Sequence, residues 1–200
     1  MARTREFDVG EAVTRATHLF WHQGYEATSM RELAERLGVG QGSLYAAFGS
    51  KDGLYRAALE HYRDTVAAVP AHAAGSGGSD GGGDVRAMVR AVLLDRVRVA
   101  AEGGQGCLLV DAAAERLPGD PATGALVRDA TAAIREALTR ILTAAARRGE
   151  IPAGRDPAAL AGFLVTFLNG LLISSKVTPD PEALAADIEV ALAVLSHPGP

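Results

Sequence analysis

The chain reads as all-α over its 200 residues. Three observations predict that class. Apolar residues recur at helical spacing, as in Met30, Leu33, Ala34 and Leu37, one stripe at i, i+3, i+4 and i+7. Helix starts are written repeatedly: Asp120-Pro121, Asp156-Pro157 and Asp180-Pro181 each put Asp at the N-cap and Pro at the first helical position. No segment alternates apolar and polar residues over a useful strand length, and there is no internal repeat.

The first helix is expected from Asp8 to Gly24. Asp8 caps it, Glu11 follows three residues on, and Val9, Ala12, Val13, Ala16, Leu19 and Phe20 form the buried face. Ser29 caps the second helix, with Glu32 placed to reach back in a capping box. Gly38 ends it, because glycine accepts the left-handed conformation. Val39 plugs the turn. Gln41 to Phe48 is a short third helix with Leu44 and Phe48 inward.

Ser50 caps a fourth helix, 51–69, with Leu54, Ala58, Leu59, Tyr62 and Val66 inward. Pro70 to Asp84 is rich in Gly and Ser and reads as a flexible loop that buries nothing. Helices are then expected at about 85–102, 107–117, 121–149, 157–176 and 181–196. The predicted organisation is a DNA-binding domain at 1–50, a connecting helix at 51–69, a loop at 70–84 and a helical ligand-binding and dimerisation domain at 85–200.

Helices two and three, joined by a short turn with Gly, make the helix-turn-helix pattern, whose second helix can enter the major groove. The stretch Asp8 to Tyr55 resembles the DNA-binding domain of the tetracycline-repressor (TetR) family of bacterial regulators. The likeness lies in Phe20-Trp-His-Gln-Gly-Tyr25, Thr28-Ser29, Leu33-Ala34, Gly38-Val39, Gly42-Ser-Leu-Tyr45, Phe48 and Lys51-Asp-Gly-Leu54. It covers about the first third of the chain; beyond it, only length and helical character match. The resemblance implies a dimeric repressor that leaves a pseudo-palindromic operator when a small-molecule effector binds the body.

Net charge is −4, and the first 64 residues carry eight basic and nine acidic side chains. Bulk charge therefore gives no argument for nucleic acid. Placement does: Arg3, Arg5, Arg31 and Lys51 sit at the tail and at helix starts, where phosphates are met. A single cysteine excludes an internal disulfide and points to a reducing cytoplasm. The start Met1-Ala-Arg-Thr-Arg-Glu6 is polar and carries no signal-peptide pattern.

The expected DNA face is Gln41, Gly42, Ser43, Tyr45, Ala46 and Ala47. Gln bonds adenine bidentately, Ser meets bases or phosphates, and Ala contacts a thymine methyl. Gly42 lets backbone approach, and Tyr45 offers a hydroxyl to a phosphate. By resemblance to the family, Thr28 and Lys51 hold phosphates, and Arg31 reaches a base or a phosphate.

Phe20, Trp21, Tyr25, Phe48, Tyr55 and Tyr62 read as core of the head and its junction. Eight of the ten aromatics precede residue 65, so the body offers an aliphatic cavity that suits an apolar effector. Pro157 to Ser175 holds no charged residue. It reaches the lower length range of a membrane span, but Thr166, Asn169, Ser174 and Ser175 and the Pro start argue against one. A helix apolar all round is buried all round, which predicts a subunit interface through Leu164, Leu168, Leu172 and Leu192.

Cys107 follows Gly106, expected as the N-cap of a helix, a position of the kind that activates thiols, with glycines giving access. The Gly-Cys-Leu segment is similar to one in family members that sense electrophiles or oxidants, so a thiol-based sensor is one alternative. The other reading of Cys107 is a small buried hydrophobe. The five histidines form no ligand cluster: His18 and His22, at i and i+4, lack a third ligand. No metal, cofactor or membrane is expected. No nucleophile–base pair or phosphate loop supports an enzyme, and a helical scaffold that does not bind DNA is the remaining alternative.

Overall fold

The structure, a computed structural model, describes residues 7–75, 84–102 and 106–196. Helix α1 (Val9–Gln23) starts where the Asp8 carboxylate accepts the N–H groups of Gly10 and Glu11 at 2.8 and 3.1 Å. It buries Ala12, Ala16, Thr17 and Phe20 against the fourth helix. Helix α2 (Met30–Leu37) starts at Ser29, whose Oγ accepts the Glu32 N–H at 3.1 Å. Only half of the capping box forms, because the Glu32 carboxylate accepts from Gln23 Nε2 at 2.9 Å. Gly38 ends α2 at φ 69, and the guanidinium of Arg15 donates to the carbonyls of Leu37 and Arg36. Those carbonyls are among the four a helix end leaves open.

Helix α3 (Gln41–Phe48) is anchored by Leu44, which is wholly buried. Helix α4 (Lys51–Gly75) opens with Ser50 Oγ accepting the Gly53 N–H at 3.1 Å. It runs past the expected end at 69. Pro70 reads as a stop because it has no N–H to donate. Ala71, Ala73 and Ala74, of the best helix former, carry the helix onward to Gly75. The Gly/Ser-rich loop expected at 70–84 is thus helical at its start, and its residues 76–83 lie outside the described residues.

The body comprises α5 (Val85–Glu102), α6 (Leu108–Arg116), α7 (Pro121–Arg147), α8 (Pro157–Val177) and α9 (Pro181–Leu192), closed by a 3-10 turn at Ala193–Leu195. The three Asp-Pro starts form as expected, each Asp side chain accepting two backbone N–H groups. No strand occurs among the described residues. Helices α7 and α8 pack along each other, α5 lies against α8 and α9, and α4 reaches α1 on one side and α5, α6 and α7 on the other. One continuous core therefore links head and body. Phe20, Tyr25, Tyr55 and Tyr62 are buried in it, and Trp21 and Phe48 pack against it.

Helix α8 has a mean hydropathy of 1.8 over its most apolar window and is long enough to cross a membrane. It buries Leu160, Ala161, Leu164, Val165, Leu168, Leu171, Leu172 and Ser175 against α5, α7 and α9. This corrects the expected interface. Leu164, Leu168, Leu172 and Leu192 are at most 4% exposed within the single chain, so they face its own core. Thr166, Asn169 and Ser174 lie on the exposed side, so the few polar residues of α8 mark the side that turns outward. The apolar residues left outward are Phe163, Ile173 and Val177 on α8 and Val190 on α9.

Candidate nucleic-acid interface

Helix α3 has no charged residue, and its outward face is Gln41, Gly42, Tyr45, Ala46 and Ala47. Ser43 is half-buried. Tyr45 is 45% exposed, so its ring stands away from the core. Any phosphate charge must come from neighbouring elements. Arg31 is exposed on α2 and paired with Glu35 at 3.0 Å, a surface pair that a phosphate can displace at little cost. Lys51 is half-buried at the start of α4, its Nζ 4.0 Å from the centroid of the Tyr25 ring. Arg15 is committed to the end of α2. Arg3 and Arg5 lie outside the described residues.

Thr28 does not join this surface. It is 1% exposed, and its hydroxyl donates to the Gly24 carbonyl at 2.7 Å. The expectation that it meets a phosphate is corrected to a buried bond that ties the end of α1 to the start of α2.

Behind the head, α6 and the α1–α2 turn are held together by a charged cluster that sequence reading missed. The two oxygens of Glu115 accept the backbone N–H groups of Tyr25 and Glu26, each at 2.8 Å. Arg116 pairs with Asp52 at 2.8 Å, Asp120 at 3.0 Å and Glu26 at 3.6 Å. Its guanidinium carbon is 3.9 Å from the Tyr25 ring centroid. The Tyr25 hydroxyl donates to Asp52 at 2.7 Å. Burial, then this bond, push the Tyr25 phenol up to about 12, so it remains a donor at any physiological pH.

Inside the body, a cavity of about 140 Å³ lies between α5, α6, α7 and α8. Leu109, Val110, Ala113, Val127, Ala130, Ile134, Leu168 and Leu172 supply an aliphatic wall without aromatic rings, as the composition predicts. Arg96, Cys107, Thr131 and Asn169 supply the polar part. Arg96, buried on α5, was not legible: it stands among the charged residues Asp95 and Arg98, with nothing to mark it as the inward one. Cys107 is the N-cap of α6, not its first residue, and it is 7% exposed. The expected access through flanking glycines is therefore overturned. The thiol lies against Tyr62, whose phenol is pushed above its ordinary value by burial and then by Cys107. Tyr62 in turn packs edge-on against Trp21, centroids 5.1 Å apart. A larger open pocket of about 670 Å³ at α5, α8 and α9 is lined by residues such as Leu94, Ser175, Pro181 and Leu184 and includes nothing from α6.

A helix-turn-helix head that turns its second helix outward, set on a helical body with its own cavity, places this chain among DNA-binding transcriptional regulators. Comparison with known proteins gives the particular family. Residues 13–58 match the family described as "Bacterial regulatory proteins, tetR family". Residues 81–190 match "Tetracyclin repressor-like, C-terminal domain". The transcriptional repressor ComR of Escherichia coli is 31% identical over 180 residues, covering 87% of this chain and 82% of ComR. The uncharacterized regulator YezE of Bacillus subtilis is 29% identical over 98% of this chain and all of its own. A cysteine-substituted form of the TetR regulator CifR, solved with 26-bp operator DNA, is 36% identical. It covers 97% of this chain and 100% of its own, with a TM-score of 0.72. The chain belongs to the tetR family of bacterial regulatory proteins. It is a DNA-binding transcriptional regulator and not an enzyme.

Proposed function

We propose that this chain is a homodimeric, cytoplasmic repressor that grips a pseudo-palindromic operator through α3 of each head. An effector in the cavity beside α6 releases it. The carrying observation is that α6 both walls the cavity, through Leu109, Val110 and Ala113, and holds the head, through Glu115 and Arg116. The larger pocket shares no wall with α6, so a ligand there does not press on that helix directly. The small cavity admits few heavy atoms before its walls move. An effector that favours the wider arrangement shifts the population towards it, and α6 carries the change to the α1–α2 turn. The aliphatic lining suits an apolar effector, and Arg96 suits one with a single acceptor or anionic group.

Ala46, Gln41, Gly42, Ser43 and Tyr45 make the groove face in this reading, with Arg31 and Lys51 on phosphates. The outward apolar residues of α8 and α9 are the dimer face. Phe163, Ile173 and Val177 lie along one side of α8, a stripe of the kind that marks an interface. The CifR comparison supports DNA as the partner, since that regulator was solved on operator DNA. Footprinting on DNA flanking the gene tests the reading. Two related half-sites, centred about 34–36 Å apart or a multiple of that, are expected. A single protected patch without symmetry contradicts the dimer.

A further inference from the structure

Lysine carries its charge on a flexible four-carbon stem, so an exposed Lys pays entropy to hold a phosphate in one place. Lys51 is not free in that sense. Its ammonium rests 4.0 Å from the Tyr25 ring centroid, a cation–π arrangement that favours one position. The ring itself is held from several directions: Phe20 and Tyr55 pack against it, with centroids 6.3 and 4.9 Å away, and residues of the body complete the clamp. Glu115 accepts the Tyr25 backbone N–H, Arg116 lies against the ring, and Asp52 accepts the Tyr25 hydroxyl while pairing with Arg116. Two cations near one ring repel each other, and the carboxylate of Asp52 between Arg116 and Tyr25 offsets that repulsion.

We propose that Glu115 and Arg116, on the last turn of the helix that walls the cavity, are positioning residues for operator binding. They fix the Tyr25 ring on which Lys51 rests, and so set where the Lys51 ammonium meets the DNA backbone. The inference rests on the reading of Lys51 as a phosphate contact. It adds that this contact is made competent by residues of the body that touch no DNA. A head whose α6 clamp is loosened keeps its fold but offers Lys51 in many positions.

The salt dependence of operator binding separates positioning from plain stability. Each phosphate contact contributes about one to the slope of log affinity against log salt. Unfolding of part of the sample lowers the active concentration and leaves that slope alone. Full-length wild type, Lys51→Ala, Arg116→Gln and the double variant are titrated onto labelled operator DNA from low to high salt. Lys51→Ala is expected to lower the slope by about two, one for each head of the dimer, and Arg116→Gln to lower it by a similar amount. The double variant is expected to lie within about twofold of Lys51→Ala alone, since the two changes remove one contact per head and not two.

Glu115→Gln provides a second variant should Arg116→Gln fold poorly. An amide has one acceptor oxygen where two N–H groups need bonding, and it turns its own donors towards one of them. The same fall in slope is expected. If Lys51→Ala lowers the slope while folded Arg116→Gln and Glu115→Gln keep the wild-type value, the positioning role is overturned and the phosphate contact stands. If the double variant loses about four from the slope, Arg116 acts independently of Lys51 and the inference is likewise overturned. If Lys51→Ala changes nothing, the phosphate reading and the inference fall together.

Discussion

The carboxylate of Glu115 accepts the backbone N–H of Tyr25 at 2.8 Å across ninety residues of chain. The approach is possible because the preceding residue, Gly24, has no side chain. A Cβ there would stand 3.2 Å from a Glu115 oxygen. Gly24 also sits at φ 81, ψ 172, a region that only glycine populates readily.

Gly24→Ala is therefore expected to destabilise the protein by about 1–3 kcal/mol from backbone conformation alone, with a further loss from the crowded carboxylate. Urea unfolding of wild type and variant measures it. A variant as stable as wild type would mean that the turn relaxes and that the Glu115 contact is dispensable.

Acid stability should carry the signature of Asp120. Its carboxyl is lowered to about 2, first by the Thr123 hydroxyl and backbone N–H, then by Arg116. The folded value lies below the unfolded one, so the stabilisation is present above about pH 4 and is lost as pH falls towards 2. It amounts to about 2 kcal/mol at neutral pH. Asp120→Asn should be less stable by about that amount near pH 7, and the gap should close on acidification. A gap that stays constant with pH would assign the effect to the helix cap and not to charge.

Thr28 separates a buried role from a DNA role. Thr28→Val removes the hydroxyl that donates to Gly24 and should cost about 1 kcal/mol of stability. The salt slope of operator binding should be unchanged, and Thr28→Ser should restore stability. A lowered slope in folded Thr28→Val would return Thr28 to the DNA surface.

The two sides of α8 should respond differently. Leu168→Ala empties a core position and should cost about 2–5 kcal/mol, with the sedimenting species unchanged. Ile173→Glu or Phe163→Glu places a charge on the outward stripe and should yield a folded monomer, since an interface cannot bury an unpaired charge. Sedimentation velocity and thermal melting distinguish the cases. A folded dimer from both outward variants would place the interface elsewhere.

Helix boundaries were legible because Asp8, Ser29, Asp120, Asp156 and Asp180 write the starts locally and Gly38 writes a stop. The face of α3 was legible for the same reason: Leu44 and Phe48 fix which side turns inward. What escaped was set by distant partners. Thr28 is buried by its contact with the end of α1, and Leu164, Leu168 and Leu172 by α5 and α7, on a helix whose outward polar residues, Thr166, Asn169 and Ser174, are too few to form a continuous polar side. Cys107 is covered although glycine precedes it. Glu115 and Arg116 carried no local signal, because neither Tyr25 nor Asp52 is near them in sequence. Pro70 signalled an end that the following alanines overrode.

The most direct test of α3 as the reading helix is the operator affinity of Tyr45→Ala, measured by fluorescence anisotropy beside its thermal midpoint. Tyr45 is exposed, so the fold should be untouched, and binding should weaken by about 1–2 kcal/mol through loss of a positioned hydroxyl and its ring contact. Wild-type affinity in a folded Tyr45→Ala protein would contradict the assignment of this face to DNA.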